Sequence, residues 1–268
     1  MRFSKVFILT VVLALLAIPL AAQTSPSHTR HCSLATLKGS YGFFGEAPAL
    51  LTGDPTLRIA IVGITHFDGH GNLSGESIGN VEGWGAGEVG KFRGTYTVNP
   101  DCTYSGEHTG DDGETLHFTG TITGSGMLQG TRFVVTDPGW VALGTDKKIR
   151  PEGCSLSTLE GSYALFGGGT VTALDPPAQI AHVGTVTYDG AGRFVGTDTI
   201  MLDGTTVPDT FTGTYTVTKE CMISMEVAST AVGVIHEVGW IVGDGKSTEV
   251  RLILTDPGFL AFDATRKQ

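Results

Sequence analysis

The chain has 268 residues, with 17 Lys and Arg against 27 Asp and Glu, and its formal net charge is −10. An acidic surface repels phosphate backbones and anionic lipid, so this charge argues against nucleic-acid and membrane partners. The 39 glycines, set among stretches rich in Thr, Ser and Asp, indicate strands joined by many tight turns rather than long helices.

The first 22 residues have the pattern of a secretory signal peptide. Arg2 and Lys5 precede an apolar run that ends at Leu20, and Ala22 marks the predicted cleavage point. An uncleaved membrane anchor is the alternative, but the run is shorter than the roughly 20 residues that a spanning helix needs. We therefore predict a secreted or periplasmic protein that has no membrane attachment after cleavage and a net charge of about −12.

One ten-residue phrase occurs twice, as CSLATLKGSY at 32–41 and as CSLSTLEGSY at 154–163. The later phrases GTYTV and TDPG also recur at matching places. Units of this length are domains rather than solenoid repeats. We predict a linker at 23–30, a first domain at 31–146, a charged linker at 147–152 and a second domain at 153–268, each domain folding by itself.

Each copy contains short runs of alternating residues between turn signals. An Asp-Gly pair after Phe67 and after Tyr188 favours a tight hairpin, and TDPG favours a type II turn. The phrase CSLATLKG at 32–39 is predicted to form a short helical turn that covers one end of the domain. The strands predicted in copy one are 39–45, 57–67, 72–81, 91–98, 103–109, 115–123, 128–136 and 140–143.

A meander of eight short strands has exposed edges unless it closes. The sequence therefore predicts an all-β protein of two tandem antiparallel eight-stranded barrels. The alternative is a pair of β-sandwiches.

Four cysteines in an exported chain favour disulfide bonds. Cys32 and Cys102 occupy the same two places in copy one as Cys154 and Cys221 do in copy two. We predict pairing within each copy, which should stabilise each domain by roughly 4 kcal/mol in the chain-entropy model.

The phrase C-S-L-x-T-L-x-G-S-Y, followed by G-T-Y-T-V and T-D-P-G, resembles a group of exported bacterial proteins of unassigned function. Their domains look like barrels of the calycin and allene-oxide-cyclase type. Gly39-Ser40-Tyr41 replaces the lipocalin G-x-W signature, and no cyclase active-site motif is present. The resemblance therefore implies a fold and assigns no role to any residue.

The best catalytic candidates in the sequence are Glu226 and His236, which recur in copy one as Glu107 and His117. On a hairpin the two partners fall opposite each other, and a carboxylate beside an imidazole is the usual general-base pairing. The alternative is a solvated structural pair. In copy two the same face also carries Met222, Val238 and Trp240, so we expect these three residues to enclose the pair and to bind a ligand.

Metal and cofactor signatures are weak. His66, Asp68 and His70 bunch at one turn, but copy two has Thr and Ala in place of the histidines and no fourth ligand is apparent. We predict no metal and no cofactor.

Two functions remain open from the sequence. The first is a non-enzymatic exported protein that binds a small apolar ligand inside its barrels or contacts a surface partner. The second is a cofactor-free isomerase or cyclase that uses an interior Glu/His pair. The sequence does not indicate the oligomeric state.

Overall fold

The computed structural model describes residues 31–45, 49–50 and 58–268. The predicted signal peptide and the linker at 23–30 therefore lie outside the described residues. No helix within the described part of the chain is long and apolar enough to cross a membrane.

Strands dominate both repeats. The first repeat contains β1 (Gly39–Gly45), β2 (Ala49–Leu50), β3 (Arg58–Phe67), β4 (Asn72–Val81), β5 (Gly90–Val98), β6 (Thr103–Gly110), β7 (Thr115–Thr123), β8 (Gly130–Val135) and β9 (Leu143–Lys148). The second contains β10 (Glu160–Val171), β11 (Ala178–Asp189), β12 (Arg193–Leu202), β13 (Thr205–Val217), β14 (Met222–Ser229), β15 (Gly233–Val242), β16 (Glu249–Leu254) and β17 (Phe259–Lys267).

Both sheets close on themselves. In the first repeat β1 pairs with β3 on one side and with β9 on the other, so β1 and β3–β9 form an eight-stranded ring to which β2 adds beside β3. In the second repeat β10 pairs with β11 and β17, which closes β10–β17. The prediction of two antiparallel eight-stranded barrels is confirmed, and the β-sandwich alternative is wrong because each ring closes. We call the rings barrel 1 and barrel 2.

The turn chemistry accounts for two of the hairpins. Asp68 accepts hydrogen bonds from backbone N–H groups of its own turn, and Gly69 has a φ of 80° that favours glycine. At TDPG, Trp140 donates its N–H to the carbonyl oxygen of Asp137 (3.2 Å), and Gly139 has a φ of 87°. That geometry is the type II turn that the sequence predicted.

The last two strands of copy one differ from their prediction. Residues 126–128 form a 3₁₀ turn instead of opening the strand predicted at 128–136, and β9 starts at Leu143 where the predicted strand 140–143 ends. The run GTDKK looks polar, yet Thr145, Asp146 and Lys147 are all buried, because one face of β9 points into barrel 1 and the other lies against barrel 2. Strand β9 thus continues to Lys148, inside the predicted linker.

One end of each barrel carries a 3₁₀ turn and a disulfide, and we call it the disulfide end. The turns are Leu34–Leu37 and Leu156–Thr158. The bonds join Cys32 to Cys102 and Cys154 to Cys221, with Cα–Cα distances of 5.0 and 4.8 Å, as the sequence predicted. Two disulfides are typical of an oxidising compartment outside the cytoplasm.

The barrels pack side by side through one hydrophobic cluster. Strands β1, β3 and β4 contact β15–β17. Phe44 and Val62 of barrel 1 belong to the same buried cluster as Trp240 and Ile253 of barrel 2, and the ring centroids of Phe44 and Phe262 lie 5.7 Å apart. The two repeats therefore share part of their core.

Polar groups secure the same contact. The Arg251 guanidinium donates to the carbonyl oxygens of Thr145 (2.9 Å) and Gly42 (3.3 Å) and lies 4.9 Å from the centroid of the Phe44 ring. In the opposite direction the Asn80 side-chain amide donates to carbonyl oxygens of barrel 2. Each barrel thus satisfies backbone groups of its neighbour.

Equivalent ends of the barrels lie next to each other. At the disulfide end, Gly243 donates its N–H to the carbonyl oxygen of Lys148 (2.7 Å). At the other end, which we call the open end, Gly258 donates its N–H to the carbonyl oxygen of Gly83 (2.6 Å). The two barrel interiors therefore run in the same direction.

Candidate functional site: the two barrel interiors

Barrel 2 encloses a cavity of about 70 Å³ that reaches towards its open end. Alternate residues of each strand point inwards, and most of these are apolar. Against this background five inward side chains are carboxyl or imidazole groups, namely His182 on β11, Asp198 on β12, Asp209 on β13, Glu237 on β15 and Asp263 on β17. Asp209 accepts hydrogen bonds from the hydroxyls of Ser229 and Thr230 and from the N–H of Ala231. The apolar wall includes Leu165, Val186, Phe194, Met225, Ile235 and Leu252.

His182 is held between two carboxylates. Its Nδ1 lies 2.8 Å from an oxygen of Asp198 and its Nε2 lies 2.7 Å from Oδ1 of Asp263. All three side chains are largely buried. Glu237 shares a further hydrogen bond with Asp263. Four side chains from four strands thus form one polar cluster inside an apolar barrel.

Glycines make room for this cluster. Gly167 on β10 lies directly between His182 and Asp263 in the strand register. A Cβ at Gly167 would fall 1.9 Å from Oδ1 of Asp263 and 2.2 Å from Nε2 of His182. A Cβ at Gly184 would similarly fall 2.4 Å from the Cβ of Asp198. The ion pair can therefore cross β10 only because residue 167 has no side chain.

The cluster fixes the charge of its members. Burial by itself would lower the pKa of His182, but the charge of Asp263 and hydrogen bonds to both aspartates outweigh burial and raise the pKa to about 10. Burial and the neighbouring Asp263 charge raise the pKa of Glu237 well above its ordinary value. At neutral pH His182 is an imidazolium that donates to both aspartates, and Glu237 is a neutral acid that donates to Asp263.

Barrel 1 encloses a larger cavity, of about 170 Å³, with an aromatic wall. His108 lies in this wall, its ring centroid 4.7 Å from that of Phe92 and 6.0 Å from that of Phe118. Burial lowers the pKa of His108, so its imidazole is neutral at pH 7. The rings of Phe43 and Phe133 lie 6.4 Å apart in the same cavity.

One carboxyl group lies in the wall of barrel 1. Asp146 on β9 is buried and accepts a hydrogen bond from the backbone N–H of Thr131 (2.9 Å). Burial raises the pKa of Asp146 to about 6, although this hydrogen bond and the charge of Arg251 oppose the shift. Apart from Asp146 and His108, no side chain that lines this cavity is acidic or basic.

The ionisable cluster of barrel 2 has no counterpart in barrel 1. The strand registers match between repeats, for example where Gly63 pairs with Ser77 and Gly184 with Asp198. The barrel 1 residues at the positions of His182, Asp198, Glu237 and Asp263 are Ile61, Ser77, Phe118 and Gly144. The same scaffold therefore holds a charged interior in one repeat and an aromatic interior in the other.

The predicted catalytic pair lies on the outer wall of barrel 2. Glu226 and His236 are opposite each other across β14 and β15, as the hairpin argument predicted. Their side chains are 64% and 51% exposed, and Oε2 of Glu226 is 3.7 Å from Nε2 of His236. The expectation that this pair is enclosed is wrong, because even-numbered residues of β15 point outwards. His117 and Glu107 are equally exposed in barrel 1, and their closest atoms are 3.3 Å apart.

Aspartates of the TDPG turns hold both histidines. Nδ1 of His236 lies 3.0 Å from Asp256, and Nδ1 of His117 lies 2.8 Å from Asp137. Hydrogen bonding to these aspartates raises the pKa of both histidines. A turn-stabilising role accounts for the recurrence of the pair, while its catalytic role stays a prediction.

The three predicted ligand-binding residues, Met222, Val238 and Trp240, lie outside both barrel cavities. Val238 and Trp240 are buried on the outer wall of barrel 2, and the Cβ of Trp240 lies 3.3 Å from the Cβ position of Gly42 in barrel 1. Met222 is partly buried and packs against the same cluster. None of the three lines either barrel cavity. Their apolar character is explained by the contact with barrel 1, and ligand binding by them stays a prediction.

The first hairpin turn offers no grouped metal ligands. Nδ1 of His66 lies 2.8 Å from the Ser40 hydroxyl, while Asp68 is engaged by its own turn. Within residues 31–45 and 58–268, no three His, Cys, Asp or Glu side chains are placed so that they could hold a metal ion.

Sequence reasoning missed His182, Asp198, Glu237 and Asp263. Their signal was present in the repeat, because each is ionisable where copy one has Ile, Ser, Phe or Gly. Recognising it required the strand register, since a shift of one residue moves a side chain from the outer wall to the interior.

Comparisons with known proteins add little to this geometry. No family model matches the chain, and no curated protein matches it significantly. Among solved structures, a protein from Nitrosomonas europaea described as a "putative ATTH" aligns over 85% of this chain and 92% of its own, with 9% identity and a TM-score of 0.28. A similarity this weak carries no inference about function.

Proposed function

We propose that the protein is exported and binds a small apolar molecule inside barrel 1, without catalysing a reaction. The observation that carries this proposal is the cavity of about 170 Å³ among the rings of Phe43, Phe92, Phe118 and Phe133. Well-packed interiors leave few voids larger than a water molecule. A dry apolar cavity of roughly 150 Å³ is sufficient to bind benzene.

The polar groups of this cavity suit recognition more than catalysis. The neutral ring of His108 lies between those of Phe92 and Phe118, tilted with respect to both, and offers a weak polar contact at the wall. Asp146 is already bonded to Thr131. In barrel 2, both ring nitrogens of His182 and the acid proton of Glu237 are engaged, so neither group has a free site for proton transfer. The isomerase alternative, which needs a free interior base, is therefore less well supported.

Benzene binding to the whole chain tests the proposal. Saturable binding at one site, followed by calorimetry or by ligand-observed NMR, is the expected result. Leu116→Trp adds an indole to a half-buried residue of the cavity lining, and it should weaken binding at least tenfold. Val234→Trp adds the same group to an exposed residue on the outer wall of barrel 2 and should leave binding unchanged.

Absence of saturable binding, or equal binding by wild type and Leu116→Trp, contradicts the proposal. Export is tested separately by the intact mass of the protein recovered outside the cytoplasm, which should begin near Gln23. A mass that retains residues 1–22 contradicts that part.

A further inference from the structure

Barrel 2 buries more negative charge than its one imidazolium neutralises, because Asp209, which pairs with Asp198 in the strand register, adds a further buried carboxyl group to the cavity lining. The imidazolium of His182 faces two carboxylates, Asp198 and Asp263, while Glu237 keeps its proton. Asp263 receives hydrogen bonds from both His182 and Glu237. Asp198 receives only the bond from His182, so the excess charge is least compensated at Asp198.

One oxygen of Asp198 has no donor. Oδ2 accepts the hydrogen bond from His182, whereas Oδ1 is buried and has no hydrogen-bond partner in the structure. The Asp198 side chain is only 5% exposed and lines the cavity. A buried carboxylate oxygen without a donor is unfavourable, so the cavity favours a ligand that supplies one.

The remaining lining residues and the volume of the cavity restrict the polarity and the size of that ligand. Phe194, Met225, Ile235 and Leu252 line it with apolar groups. Its volume of about 70 Å³ limits a ligand to a few heavy atoms. A cation compensates the excess negative charge, and its N–H groups satisfy Oδ1 of Asp198.

We propose that the interior of barrel 2 binds a small primary ammonium ion with a short alkyl chain, whose N–H groups donate to Oδ1 of Asp198 and whose chain lies against the apolar wall. This site is separate from the apolar cavity of barrel 1 and differs from it in the charge of its ligand.

The test uses n-propylammonium chloride and the whole chain at pH 7 and constant ionic strength. Calorimetry should show saturable binding at one site. Two compounds of similar size separate the contributions, since n-propanol lacks the charge and tetramethylammonium lacks the N–H donors. Both should bind at least tenfold more weakly. No saturable binding of propylammonium, or equal binding of n-propanol, overturns the proposal.

Matched variants locate the site. Asp198→Asn should weaken propylammonium binding at least tenfold, whereas Ser77→Asn, at the equivalent position of barrel 1, should leave it unchanged. Unchanged binding by a folded Asp198→Asn variant overturns the proposal.

A measurement on the wild type remains decisive if Asp198→Asn does not fold. The methyl ¹³C signal of Met225, which lines the cavity, should shift on titration, whereas that of exposed Met201 should not. Equal shifts of both signals, or none at Met225, overturn the proposal.

Discussion

Barrel 1 and barrel 2 have the same strand order, the same disulfide and the same TDPG turn, yet their interiors differ in chemistry. Barrel 1 surrounds its cavity with phenylalanine rings, and barrel 2 places an aspartate–histidine–aspartate cluster with a protonated glutamate across its own. The repeated phrases lie at turns and on strand segments near the disulfide end, whereas many inward positions around the two cavities differ.

This difference shows which positions the fold requires. The Asp-Gly and TDPG turns and the cysteines set the path of the chain and are the same in both copies. Inward residues must only fill the barrel, so one copy does this with apolar groups and the other with a cluster in which most polar atoms are paired. The charged interior of barrel 2 also requires glycine at position 167, where any side chain would collide with His182 and Asp263.

The largest expected effect tests whether the barrels are separate units. Trp240→Ala should lower the free energy of unfolding by about 4 kcal/mol, because Trp240 is 1% exposed in the cluster shared by both barrels. Trp84→Ala, at a 74% exposed residue, should change it by less than about 0.5 kcal/mol. Urea unfolding followed by far-UV circular dichroism measures both. Equal effects would favour the prediction that each repeat folds independently of the other.

A second substitution fills the space beside Gly167 that the charged cluster of barrel 2 occupies. Gly167→Ala should destabilise the protein by about 3 kcal/mol, because the new Cβ forces His182 and Asp263 apart inside the barrel. The pKa of His182, followed by NMR, should fall from its value of about 10. Gly87→Ala is the control, since its Cβ would meet nothing closer than 3.8 Å. An unchanged His182 pKa in Gly167→Ala would show that the pair does not depend on this gap.

A third prediction concerns pH. The pKa of Glu237 is raised in the folded state, so its contribution to stability is complete below the unfolded pKa of about 4.5 and is lost as pH rises through the folded pKa. Glu237→Gln keeps a donor to Asp263 but does not titrate. It should be more stable than wild type by about 1 kcal/mol at pH 8 and show no advantage at pH 4.

Glu226→Gln is the control for that experiment, because Glu226 lies on the outer wall of the same barrel. It should show the wild-type change of stability with pH. The contribution of His182 to folding stability is lost as pH rises from its unfolded pKa of about 6.5 through its folded pKa of about 10. This loss is expected equally in wild type, Glu237→Gln and Glu226→Gln. Parallel curves for wild type and Glu237→Gln would contradict the assignment of a neutral Glu237.

The smallest effect is expected at the pair that the sequence singled out. His236→Gln and Glu226→Gln should each change the free energy of unfolding by less than about 0.5 kcal/mol and leave benzene and propylammonium binding unchanged, since both side chains are more than half exposed. Calorimetry with the variants measures this. Loss of binding in either variant would support the functional role that the sequence predicted for the pair.

Much of the fold was readable from the sequence because turn chemistry is local. Asp-Gly and TDPG fixed where strands end, the repeat fixed the number of domains, and the matched cysteines gave the pairing. The strand β9 was misplaced because burial of Asp146 and Lys147 depends on the barrel interior and on contacts with barrel 2, neither of which leaves a local pattern.

The candidate site was harder to predict for the same reason. The face of Trp240 was correctly recognised as apolar, but an apolar outer face and an apolar lumen have the same strand pattern. Only the closed register shows that His236 points outwards and Glu237 inwards. His182 and Asp263 lie 81 positions apart in the chain, and no spacing rule joins them.

The side-by-side arrangement of equivalent ends has a consequence for access. Gly83 and Gly258 bring the open rims of the two barrels together, while Lys148 and Gly243 join the disulfide ends. Ligands that enter at these rims therefore approach from the same side of the molecule. A partner surface bound at the two open ends would therefore close the apolar cavity of barrel 1 and the charged cavity of barrel 2 together. The disulfide ends would remain free to contact another molecule.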